Sequence, residues 1–208
     1  MSYHIYTTNG IILKRTPFGE ANVLLHILTE DLGLIMASAQ AARLLNSKLG
    51  PALQEHAFIS LSCIKSKNGW KITSVVEEES FFSSLPQYSK KVVAQIGSLL
   101  LKMITGESPH PEIFQTVQSG FKFLKSLSEK DIPNFEILAV LRILHQLGYV
   151  ASGATHTQGN PVYINSAINK DIFLSNPKEW SDELLQKVSD NKPTLVSLIN
   201  KGLKESHL

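Results

Sequence analysis

A chain of 208 residues with 43% hydrophobic side chains has enough apolar mass for a packed core and the size of one large domain or two small ones. A net charge of +2 excludes a nucleic-acid case built on bulk charge, and a single cysteine, Cys63, excludes an internal disulfide and a cysteine-based zinc site. The start, MSYHIYTTNG, lacks a basic stretch followed by an apolar one, and the most apolar later run, VVAQIGSLLLKMI, is short and broken by Gln95 and Lys102, so a soluble, cytoplasmic protein is expected with no membrane partner.

The first eighty residues read as β structure. GIILKR, NVLLHILTE and GLIMASAQ are short apolar runs, with TPFGE and EDLG between them as turn signals. AFISLSCIKSKNGWKITSVVE then alternates Ile59, Leu61 and Cys63 with Ser60 and Ser62, and Asn68-Gly69 marks a hairpin, because a tight type I′ turn needs positive φ at both central positions. About five short strands in that length predict a small barrel or sandwich, since an open sheet would leave long edges unpaired.

Beyond EEE at 77–79 and SFFSSLPQ the period changes. Tyr88, Val92, Ile96, Leu99, Leu100 and Met103 recur at spacings of three and four, predicting an amphipathic helix that TGESPHPE ends. A second helix carries Ile113, Val117, Phe121, Leu124 and Leu127. A third begins at IPNFE and runs to Gly148; it is apolar around most of its circumference and should be the buried one. GYVASGATHTQGNPVYIN is a connector ending in a short strand. Asn176, Pro177 and Glu179 predict a capped helix carrying Trp180, Leu184 and Val188, and PTLVSLINKGL a last helix. The expected division is a β domain over 1–80 and a helical domain over 81–208, an α+β multidomain chain.

No phosphate-binding loop, dinucleotide fingerprint or HExxH is present. The seven histidines are scattered, His145 and His156 straddling Gly148, and read as surface or half-buried polar residues. Cys63 reads as a core thiol and Glu77 to Glu79 as the end of a strand. An enzyme is therefore not expected, and binding is the better reading. Residues 1–76 hold seven Lys or Arg against four Asp or Glu. Lys14 and Arg15 end the first strand, Arg43, Ser47 and Lys48 follow the third, and Lys65, Lys67 and Lys71 surround the hairpin beside Trp70. In a nucleic-acid-binding barrel such cations track phosphates while an aromatic ring stacks on bases; in an ordinary barrel they are solubilising charges and Trp70 a core anchor. In the third helix, Arg142 lies among Leu138, Leu141 and Ile143, so its guanidinium should reach a carboxylate or the surface. Beside an apolar groove it would suit an acidic peptide with a hydrophobic end.

GIILKRTPFGEANVLLHILTEDLGLIMASAQAARLLNSKL resembles the amino-terminal region of the RecO family of bacterial DNA repair and recombination mediators, through Lys14, Arg15, Glu20, Thr29, Glu30, Gly33, Ala42, Arg43, Ser47, Lys48 and Leu49. FEILAVLRILHQLGY, LPQYSK and ESPHPEIFQ follow in the family's order, so the resemblance runs from about residue 8 to residue 150. It implies an oligonucleotide-binding (OB) barrel over 1–80 followed by a helical domain. It also implies binding of single- and double-stranded DNA, annealing of complementary strands, and cooperation with RecR. Contact with the tail of single-strand-binding protein would help to load RecA at the nucleoid, and that tail is the natural occupant of a groove at Arg142. Two departures stand out. Many members read Lys-Gly-Ala-Arg-Arg where this chain has Gln40-Ala41-Ala42-Arg43-Leu44, and many carry a four-cysteine zinc site where VASGATHTQGN has none, so no cofactor is expected. The thinner loop charge keeps a second reading in view, a protein-interaction adaptor whose barrel has weak or lost DNA binding.

Overall fold

The computed structural model describes residues 4–67, 69–79, 81–151, 162–163 and 170–206. Five strands, β1 (Ile5–Phe18), β2 (Asn22–Thr29), β3 (Gly33–Ala39), β4 (Phe58–Ser66) and β5 (Gly69–Glu79), close into a barrel in the order β1-β2-β3-β5-β4. All neighbouring pairs are antiparallel except β3 with β5, which run parallel through Ala37 opposite Trp70 and Ser38 opposite Lys71. This is an OB-like barrel, and closure leaves no sheet edge for unwanted pairing.

β1 is longer than its apolar core because it serves two neighbours: residues from Ile5 pair with β4 and residues from Gly10 pair with β2. The register with β2 shifts between Ile12 and Lys14. The extra residue lets Ile11, Ile12 and Leu13 all be buried where strict alternation would expose one, and it turns Lys14 outward. Inside the barrel, Ile12, Leu25, Ile27, Ile35, Ile59, Leu61, Cys63 and Ile72 are almost completely buried. Each such aliphatic side chain contributes about 1.5–3 kcal/mol by leaving water. Burial in this apolar shell pushes the Cys63 thiol up to about 11, so it is an inert core group.

The β2–β3 turn shows why T-E-x-x-G is written there. Thr29 Oγ1 accepts from the Leu32 amide at 3.0 Å and donates to the Gly33 carbonyl at 2.7 Å, while Asn9 Nδ2 donates to Glu30 Oε2 and Thr8 Oγ1 to Asp31 Oδ2. Gly33 has φ +72°, and a Cβ on it would lie 2.3 Å from the Ser108 carbonyl oxygen. Only glycine satisfies both conditions.

The β4–β5 ladder closes with Ser66 opposite Gly69, whose φ is +96°; the partner of that turn signal, Asn68, lies outside the described residues. A short helix α1 (Phe81–Ser84) and the long α2 (Gln87–Met103) follow, and α2 packs against β1. Gly97 in α2 leaves room for the buried His56 ring, 3.3 Å from where a Cβ would stand.

The chain forms two compact units, Met1–Phe114 and Gln115–Leu208. The change of hydrophobic period near residue 80 therefore marks where strands give way to helices, whereas α2 belongs with the barrel. The second unit comprises most of α3 (Pro111–Leu124), then α4 (Ile132–Gln146), β6 (Val150–Ala151) parallel to β7 (Val162–Tyr163), α5 (Asp171–Leu174), α6 (Asp182–Asp190) and α7 (Lys192–Glu205). α4 is central, with α5, α6 and α7 packed on it, and ends at Gly148 with φ +83°. Asn176 caps only a 3-10 turn, accepting from the Lys178 amide. Trp180 is extended there, and α6 starts afresh at its own cap, Ser181, so the expected single helix is two elements. Trp180 fills the space opened by Gly120 and meets Phe135 edge-on.

Among the described residues no helix is long and apolar enough to cross a membrane, and no group of three metal-ligating side chains converges. His156 and most of the VASGATHTQGN segment lie outside the described residues.

Candidate nucleic-acid interface

The stretch from Ala39 to Gly50 carries both halves of its composition. Ala39 and Ala42 are buried in the barrel core, and Ala41 between them is exposed with φ +54°. The small side chains thus divide: two fill the core, while Ala41 stands in a left-handed turn that throws the chain outward, a conformation its Cβ makes costly. Ala41 is held there by its amide, which donates to Asn22 Oδ1 at 2.9 Å.

The loop beyond is fixed by its own hydrogen bonds. The Arg43 amide donates to the Ala21 carbonyl, the Leu44 amide to Ala41 and the Ser47 amide to Leu44. Ser47 Oγ accepts from the Gly50 amide at 3.1 Å, which leaves its O–H to donate. A Cβ on Gly50 would fall 2.3 Å from the Ala42 carbonyl oxygen, so the loop closes tightly on itself.

These constraints gather Arg43 and Ser47 with Arg15 of β1 around an open pocket of about 390 Å³, completed by Leu44, Leu45, Gly50, Pro51 and Gln54. Arg43 Nη1 donates to the Gly19 carbonyl at 3.1 Å, so one of its five N–H groups is used in aiming the rest. Arg15 is half-buried, and among the described residues its Nε has no acceptor. A buried guanidinium nitrogen with no acceptor carries an uncompensated desolvation cost. Glu55 lies beside Arg15 and accepts from its backbone amide at 2.8 Å.

Lys14 and Lys48 are exposed outside the pocket lining. Lys14 pairs in register with His26; burial, and then the Lys14 charge, hold the His26 imidazole below its ordinary value.

The hairpin residues do not join this cluster. Trp70 is only 5% exposed within the barrel core, edge-on to Tyr6, and its Nε1 donates to Glu107 Oε1 at 2.9 Å. A ring so buried has no face for a base, so the reading of Trp70 as a stacking residue is corrected: it is a core anchor. Lys65 is tied to the same carboxylate, Nζ to Oε2 at 2.5 Å, with its ammonium over the Trp70 ring. The hydrogen bond from Lys65, followed by that from Trp70, holds the Glu107 carboxyl below the usual carboxylate range. Lys65 is therefore spent on an ion pair, whereas Lys67 at the hairpin end is exposed.

Arg142 is 4% exposed, and its guanidinium donates to the Ser175 carbonyl. It lies inside the helical unit, so the expected peptide-binding groove at Arg142 is corrected to an internal contact. Sequence reasoning missed Leu44, Leu45 and Gln54 as members of the pocket, and missed Glu107 altogether; no local signal links Glu107 to a hairpin 42 residues earlier.

Residues 1–77 match the family model described as "Recombination protein O N terminal", a span that covers β1 to β4 and most of β5. The chain is 29% identical over 149 residues to the DNA repair protein RecO of Dehalococcoides mccartyi, covering 70% of this chain and 57% of that protein. The chain is thus similar to RecO proteins. It is also 27% identical to the RecO proteins of Thermodesulfovibrio yellowstonii, over 70% of this chain and 58% of that one, and of Gloeothece citriformis, over 90% and 72%. The alignments thus cover little more than half the length of the first two relatives. Of the RecO-like sequence pattern, Thr29, Glu30 and Gly33 build the β2–β3 turn, Ala42 fills the core, and Arg15, Arg43 and Ser47 line the pocket.

Proposed function

We propose that the barrel binds DNA through the loop face, with Arg15 and Arg43 taking phosphate oxygens, Ser47 donating a hydrogen bond, and Lys14 and Lys48 adding charge at the margins. The observation that carries this reading is the convergence of Arg15, Arg43 and Ser47 in one open pocket on a RecO-like barrel. Guanidinium groups grip phosphates in a fork geometry, and a hydroxyl completes the set.

In this reading the chain serves recombinational DNA repair in the cytoplasm, at the nucleoid, without catalysing a reaction. Neutralising the phosphates of two complementary strands lowers their repulsion and lets them anneal. RecR and the tail of single-strand-binding protein are its partners in helping to load RecA. Those contacts lie elsewhere than Arg142, which is internal.

One observation favours a second reading, an adaptor with little DNA affinity: Lys65, though exposed, is ion-paired and Trp70 is buried, so of these hairpin residues Lys67 is the exposed lysine outside that ion pair. Substitutions separate the two. Arg43→Ala should weaken single-stranded DNA binding about three- to tenfold at low salt, the scale of one lost phosphate contact, while Lys65→Ala changes it less than twofold. Equal effects of the two, or none from either, would remove the pocket as the binding face.

A further inference from the structure

With Trp70 inside the barrel, the loop face has cations for phosphates but needs another surface for the bases. Three exposed apolar side chains adjoin Arg43: Leu44, which follows it and is 50% exposed, and two that stand further out. Phe18, at the end of β1, is 55% exposed and directly precedes Gly19, whose carbonyl anchors the Arg43 guanidinium. Leu45, two residues beyond Arg43 in a pocket it shares with that arginine, is fully exposed.

Neither is exposed because its segment is loose. Phe18 is held in the β1–β2 ladder opposite Asn22, and Asn22 in turn accepts from the Ala41 amide. Leu45 sits within the turn closed by the Ser47 amide on Leu44 and the Arg43 amide on Ala21. Locked exposed apolar groups of this size beside a guanidinium match a ligand that alternates anionic groups with flat apolar faces. A single strand of DNA has that alternation, whereas in a duplex the base faces are already stacked.

Resting on the DNA-binding reading of the same pocket, we propose that Phe18 and Leu45 are the base-contacting residues of this barrel. Phe18 stacks on one unpaired base, and Leu45 packs against a base next to the phosphate held by Arg43.

The test is fluorescence anisotropy of the full chain with a labelled oligothymidylate and with an abasic strand of the same length and backbone charge. Wild type should bind the thymidylate about tenfold more tightly than the abasic strand, the scale of one stacked base. Phe18→Ser should remove most of that preference, Leu45→Ser a smaller part, and Phe18→Trp should keep it. Neither serine variant should alter the salt dependence, since no charge is lost. If the serine variants keep the wild-type preference, the base-contact proposal is overturned, even while Arg43→Ala still weakens both strands and upholds the phosphate site. If wild type binds neither strand in a salt-dependent way, the DNA-binding reading falls and the proposal with it.

Discussion

Trp70 illustrates how one residue type carries two opposite expectations. Beside Lys65, Lys67 and Lys71 it has the composition of a stacking platform, yet in strand alternation it shares its phase with the inward-facing Ile72. The inward phase prevails, because burying an indole stabilises the barrel and Glu107 supplies the acceptor that its N–H needs. Trp70→Phe should therefore cost about 1–2 kcal/mol of stability in urea denaturation, the scale of a lost hydrogen bond to a charged group, and leave DNA affinity unchanged. A loss of affinity with no loss of stability would return Trp70 to the binding face. Alternation made Cys63 legible as core, and the basic residues around Arg43 as a loop. The roles of Lys65 and Glu107 were not legible, because their pairing depends on how a segment after α2 meets the barrel.

Elements were legible where a period runs long enough to be counted, and less so where backbone geometry decides. The strands, the helices and the central place of α4 follow from hydrophobic spacing; the bulge at Leu13 and the break at Trp180 do not, since each turns on one residue's conformation. His56 is a further case. It lies between β3 and β4 with φ +65°, its amide donates to the Ile12 carbonyl at 2.7 Å, and its ring packs on Phe82 beneath Gly97 of α2. Burial lowers its imidazole from the ordinary value, against a smaller opposing effect of Glu55. A histidine lowered by folding binds its proton more readily in the unfolded chain. Stability is then fully present above the unfolded value of about 6.5 and is lost as pH falls through the folded one. Urea midpoints should thus drop between about pH 7.5 and about pH 5.5 in wild type, and drop less in His56→Asn, a residue that tolerates the left-handed backbone. An unchanged drop in the variant would assign the effect to other groups, such as His26.

At the scale of the whole molecule, a near-neutral chain brings Arg15 and Arg43 together at one pocket of the barrel unit. The net charge of +2 conceals this, because acids such as Glu77 and Glu78 follow the barrel's basic residues in sequence. The RecO-like pattern was legible in the sequence as an ordered series of short matches; which of its residues build turns and which face a ligand required the barrel to be closed. The central claim is that Lys14, Arg15, Arg43 and Lys48 hold DNA by its phosphates. The most direct test is the salt dependence of single-stranded DNA binding, read by anisotropy. Four cations at roughly −0.7 each predict a slope of log affinity against log salt of about −3, reduced to about −1.5 in the Arg15→Ala, Arg43→Ala double variant. A slope near zero in wild type, or a slope that the double variant leaves unchanged, would contradict it.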